Sequence, residues 1–104
     1  MRVHEKDDEL RAFGAGIFIW ENGLRVLAAI GAYDAVMAGA HDAVVHETRR
    51  NGALISSIAF TRELGSRMIT MTRQHLYGAI LDVARRAGVR IVTGSEAIRA
   101  SADG

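Results

Sequence analysis

The chain of 104 residues contains no cysteine and no proline. Without thiols there is no disulfide, no thiol nucleophile and no thiolate-held metal, a composition that fits a cytoplasmic protein. Without proline nothing marks a linker, and no repeat or low-complexity stretch divides the sequence. An excess of one charge is also missing. Thirteen basic residues stand against twelve acidic ones, and the signs are interspersed, which predicts no nucleic-acid and no membrane partner. Arg49-Arg50 and Arg85-Arg86 read as solvated pairs. The longest apolar runs, such as Ile17 to Trp20, are far too short to span a bilayer, and no secretion-type signal opens the chain. His4, His41, His46 and His75 are scattered, with no spacing that suggests a metal site.

What is present is a 49% hydrophobic composition, enough for one compact α/β domain. Arg2 to Glu5 reads as a short strand, and Gly14-Ala15-Gly16 permits a close backbone approach before the apolar run Ile17 to Trp20. From Glu21, the apolar residues Leu24, Leu27, Ala28, Ile30 and Ala32 recur at helical spacing up to a stop at Gly31, and a short helix Tyr33 to Met37 follows. Ala43 to Glu47 and Leu54 to Phe60 bracket Asn51-Gly52, a strong signal for a tight antiparallel hairpin. Arg67 to Met71 reads as a strand, and Thr72 as the N-cap of a helix whose face carries Leu76, Ala79, Ile80, Val83 and Ala84 until Gly88 ends it. Val89 to Thr93 and Glu96 to Ala100 read as two further strands.

Two separated blocks are recognisable. Val3-His4-Glu5-Lys6, Glu9 to Ile17 and Asn22 to Leu27, followed at a distance by Met71 to Leu76 and Ala84 to Val89, resemble the single-component FAD-dependent aromatic-ring monooxygenases. The segments His4-Glu5-Lys6 and Leu10 to Ile17 look closest to the methylhydroxypyridine-carboxylate oxygenases. The resemblance implies a partial FAD-binding, Rossmann-like α/β domain over residues 1–104, with an antiparallel hairpin from the substrate-domain sheet inserted at about residues 43–71.

It also implies roles. Glu5 would end a strand where a carboxylate accepts hydrogen bonds from the adenosine ribose; standing alone it would be a solvated acid. Lys6 would flank the ribose or phosphate, or face solvent. Phe13, Gly14, Ala15 and Gly16 would bring backbone against the ribityl or ring side of the flavin, and Arg73 would donate to phosphate or ribityl oxygens, the alternative being a surface ion pair. Ala97 would turn main-chain groups toward adenine, and His46 would touch substrate or be a partly exposed strand histidine. Trp20 would line a flavin-proximal pocket or sit in the core, while Glu21 replaces the proline common in relatives.

The complete enzyme would use NAD(P)H to reduce FAD and oxygenate an aromatic or N-heteroaromatic substrate through a flavin hydroperoxide. The sequence holds no Gly-x-Gly-x-x-Gly turn, and Ala102-Asp103-Gly104 is not the later Gly-Asp motif of the family. The expectation is therefore an internal fragment without the first phosphate-binding unit or the C-terminal half, inactive alone, with exposed sheet edges that favour self-association. The alternative is a non-catalytic α/β remnant that serves as an interaction module.

Overall fold

The computed structural model describes residues 1–99, apart from the side chain of Arg62. β1 (Arg2–His4) leads through an irregular loop into β2 (Gly16–Trp20), α1 (Glu21–Ala29) and α2 (Tyr33–Met37). β3 (His41–Ala43), the hairpin β4 (Val45–Arg50) and β5 (Ala53–Ala59), and one π-helical turn, Phe60–Leu64, follow. β6 (Met68–Thr72), α3 (Arg73–Arg86) and β7 (Arg90–Val92) complete the order. Among the described residues these strands make three small sheets: a parallel pair β1-β7, an antiparallel sheet β2-β6-β3, and the hairpin β4-β5.

The central sheet owes its position to a period of two. Ile17 and Ile19 of β2 and Ile69 and Met71 of β6 share one face, onto which Leu24, Leu27, Val36 and Ala79 of the helices pack. Ile69 and Val36 are fully buried, and each such side chain contributes on the order of 1.5–3 kcal/mol. The opposite face carries Phe18, Trp20 and Met68 toward the hairpin. Both sides of β6 are covered, which is why Met-Ile-Thr-Met carries only one polar residue.

The mixed α/β order and the hairpin at Asn51-Gly52 stand, with both turn residues at positive φ, 50° and 82°. Four local expectations are corrected. Phe60 does not extend β5: its N–H donates to the Val44 carbonyl at 3.1 Å and it opens the π-helical turn. Arg67 lies outside β6, because its guanidinium is drawn to Asp42 and Tyr33. Ala28, Ile30 and Ile80 are exposed, since the faces in contact are narrower stripes, Leu24 with Leu27 on α1 and Leu76, Ala79 and Val83 on α3. Residues 95–99 form no strand: the Ser95 amide turns back to the Glu5 carbonyl at 2.8 Å and leaves no ladder to continue. Ala100 and Ala102-Asp103-Gly104 lie outside the described residues. β3, which pairs with β6 through His41↔Thr70 to Ala43↔Met68, has too short a sequence signal to be foreseen.

Candidate cofactor and substrate surface

The antiparallel register of β2 and β6 pairs Gly16 with Thr72. The loop that enters β2 and the helix that leaves β6 therefore meet at one end of the sheet. Thr72 caps α3, its hydroxyl accepting from the His75 amide at 3.1 Å, and the Arg73 amide donates to the Ala15 carbonyl at 3.4 Å. Gly14 sits at φ 106°, and a Cβ there would lie 3.3 Å from both Cζ and Nε of Arg73. The guanidinium thus lies against bare backbone, beside the N-terminal turn of a 14-residue helix. Phe13 is the next residue of this loop, with the Arg11 guanidinium 4.9 Å from its ring centroid. Both line a cleft of about 370 Å³ that Gln74, Tyr77 and Gly78 of α3 close from the other side.

The structure thus brings Phe13, Gly14, Ala15, Gly16 and Arg73 together. Glu5 and Lys6 stand at the other end of the same loop, where β1 finishes. The Glu5 amide donates to the Val92 carbonyl at 2.9 Å, and its Oε1 accepts from the Asp7 amide at 3.1 Å, so the carboxylate is oriented by the chain turn that follows it. Lys6 lines an open cleft of about 440 Å³ with Asp7, Asp8, Glu9 and Arg11. The Gly94 amide bonds the Asp7 carbonyl at 2.9 Å, and His4 Nδ1 lies 2.8 Å from Ser95 Oγ, which ties the segment after β7 to this loop. Ala97 is exposed in the irregular stretch beyond.

His46 belongs to a different surface. It pairs with Ile58 across the hairpin, and both line a cleft of about 330 Å³ with Phe18, Trp20, Phe60 and Met68. Trp20 meets Phe60 edge to face, centroids 5.1 Å apart at 89°, and the His46 ring lies 6.3 Å from Phe60. Sequence reasoning named His46 and Trp20 but missed Phe18, Phe60 and Met68 as cleft residues. The alternation of Phe18 and Trp20 with Ile17 and Ile19 was the signal that could have found Phe18.

One ion pair joins β3 to the residue that precedes β6. Arg67 donates from Nε and Nη2 to the two Asp42 carboxylate oxygens at 2.6 and 2.9 Å, and from Nη1 to the Tyr33 hydroxyl at 3.0 Å. Hydrogen bonding to Arg67 holds the Asp42 pKa below its ordinary value, and that of Arg67 is raised chiefly by Asp42. Among the described residues no helix is long and apolar enough to cross a membrane.

The same fold is found in a solved oxygenase. Over 96% of its length the chain superposes on the tetrameric form of 2-methyl-3-hydroxypyridine-5-carboxylic acid oxygenase, with a TM-score of 0.88 and 46% identity, covering 26% of that chain. It is 42% identical over 105 residues to AqdB1 of Rhodococcus erythropolis. It is 39% identical to the 2-heptyl-3-hydroxy-4(1H)-quinolone synthase of Mycobacteroides abscessus. All of the chain aligns in both cases, and it spans 28% of the length of each of these two relatives. No protein-family model matches it. The resemblance to the FAD-dependent aromatic-ring monooxygenases, and to methylhydroxypyridine-carboxylate oxygenase in particular, is shown by these matches.

Proposed function

We propose that the chain forms the cofactor-facing part of an FAD-dependent monooxygenase that uses NAD(P)H to oxygenate an aromatic or N-heteroaromatic substrate. The observation that carries this reading is the Arg73 guanidinium held against the Cβ-free backbone of Gly14. A side chain at Gly14 would crowd that guanidinium, so bare backbone and a cation lie side by side here, a pairing that suits a ligand with phosphate and hydroxyl oxygens. FAD, when bound, supplies the redox chemistry. The chain's own part is to bind and orient it.

Arg73 donates to ribityl or phosphate oxygens, aided by the positive end of α3. The segment Phe13 to Gly16 offers main chain at close range. Glu5 is pre-oriented by the Asp7 amide to accept from ribose hydroxyls, with Lys6 beside it and the Ala97 backbone toward adenine. The cleft at His46 faces the substrate.

On this reading the pyrophosphate-binding glycine turn comes from polypeptide outside these residues, and the isolated chain is not a complete catalyst. FAD titration of the purified chain, followed by flavin fluorescence polarisation, tests it. Weak saturable binding is expected, reduced about tenfold or more by Arg73→Ala, in line with the loss of about 1.5–3 kcal/mol per charge-assisted hydrogen bond. Equal binding by wild type and variant would remove Arg73 from the site, and tight binding would overturn the need for a separate phosphate-holding turn. The same reading leaves the two-stranded sheets with unpaired edges, so association that rises with concentration is expected in sedimentation velocity.

A further inference from the structure

We infer that the open edge of β4 is a docking strand for a second copy of this chain, the two β4 strands pairing antiparallel about Thr48. This goes beyond the flavin reading. It rests on the association expected of the unpaired sheet edges, of which it names one edge and its register.

Among the described residues β4 is the longest regular strand with an unpaired edge. β1, β3 and β7 are three residues long. β5 is longer, but Ile55 is an extra residue between Leu54 and Ser56, which face Arg49 and Thr48. Such a bulge breaks the row of outward amides and carbonyls that an added strand needs. β2, at five residues, has no charged side chain to choose a register.

Hydrogen-bonding groups alternate sides along an antiparallel strand. The Phe60 amide donates to the Val44 carbonyl, so Val44, His46, Thr48 and Arg50 bond toward β5, while Val45, Glu47 and Arg49 present their amides and carbonyls outward. Only the second set can exchange bonds with a new strand, which limits the symmetric registers to a few. A ladder centred on Thr48 sets Glu47 of each copy opposite the partner's Arg49, giving two opposite-charge pairs. Centring on Glu47, Arg49 or Arg50 sets like charges face to face, and centring on His46 sets Glu47 against Val45. Within one chain the Arg49 guanidinium already holds the Glu47 carboxylate at 2.9 and 3.0 Å, so both side chains stand on one face before a second copy arrives. The charges that keep this edge from indiscriminate pairing thus admit one register.

The chain has no cysteine, so a single introduced thiol reports a single neighbour. In this register Thr48 meets the partner's Thr48 as a pair without mutual hydrogen bonds, with Cα atoms about 4.5 Å apart and within reach of a disulfide. Mild oxidation of Thr48→Cys is expected to give a covalent dimer on a non-reducing gel. The yield should be at least about fivefold that of Ser56→Cys, whose position faces Thr48 across the hairpin and lies one strand further from the contact. Sedimentation velocity tests the charges. Glu47→Arg should weaken the wild-type dimer at least about fivefold, and Glu47→Arg combined with Arg49→Glu should restore it. A monomeric wild type, which would leave the edge to a strand of some other polypeptide, overturns the inference. So does equal cross-linking of the two cysteine variants, or a double variant as weak as the single one. A wild type that associates without the Thr48 cross-link keeps the general edge association and loses this strand and register. Because no FAD is added, these outcomes are separate from failure of the flavin reading, which Arg73→Ala reports.

Discussion

The imidazole of His75 occupies the space that a side chain on Gly39 would need: a Cβ built there would lie 2.5 Å from Cε1 and 2.6 Å from Nε2. The ring sits there because Nε2 lies 3.0 Å from the carbonyl oxygens of both Ala35 and Val36, so a residue from the first turn of α3 satisfies the open end of α2. Gly39→Ala is therefore expected to destabilise the fold by about 1–3 kcal/mol, the usual range for overpacking. A urea-unfolding cycle with His75→Ala checks the cause. If the clash is the reason, the alanine at position 39 costs much less once the imidazole is gone.

Thr72 places the backbone that carries His75. Its hydroxyl accepts from the His75 amide at 3.1 Å, and Thr72→Ala removes that cap. The expected loss is about 0.5–2 kcal/mol, with Thr72→Ser close to wild type. Thermal melts of the two variants separate the hydroxyl from the methyl group. Equal melting of Thr72→Ala and wild type would mean the cap contributes nothing here.

These contacts show where sequence reasoning reached and where it stopped. Thr72 as a cap, Gly31 and Gly88 as helix ends and Asn51-Gly52 as a turn were legible because each depends on residues within a few positions of one another. Gly14 and Arg73 could be joined through a family resemblance, but only the Gly16↔Thr72 register explains physically why residues so far apart in sequence touch. The Arg67–Asp42–Tyr33 cluster and the His75–Gly39 contact had no local signature at all, since the partners in each case are ordinary residues made adjacent by packing. The strand expected from Glu96 is overread for the opposite reason: its composition suits a strand, and among the described residues, through Arg99, no neighbouring ladder accepts it.

The Asp42–Arg67 pair predicts an acid-limb signature. A carboxyl whose folded pKa lies below its unfolded value, about 3.9, contributes stability that is present above the unfolded value and is lost as pH falls through the folded one. Asp42→Asn removes that titration. Urea midpoints measured from pH 6 down to pH 2 should show the wild-type advantage level at the upper end and shrinking in the acid range. Because both side chains are substantially exposed, the advantage is small and should weaken in high salt. A pH-independent difference between the two proteins would mean that Asp42 acts by packing rather than by charge.

Phe60 is 5% exposed and packs edge-on against Trp20, which is the single tryptophan of the chain. It also starts the π-helical turn, with its amide fixed to Val44, so the ring has one place to go. Phe60→Ala should cost about 3–5 kcal/mol, the range for removing a buried aromatic ring, and should shift native Trp20 emission to longer wavelength as water reaches the indole. Phe60→Leu keeps most of the apolar volume and loses the edge-to-face geometry, which is worth about 0.5–1.5 kcal/mol beyond area. The leucine variant should therefore stay folded with a small emission change, and this ordering distinguishes shielding from ring-specific contact. If both variants left Trp20 emission where it is in the wild type, Phe60 would not be the residue that keeps water from the indole, and the wall of the cleft would have to be assigned to Met68 and Ile58 instead.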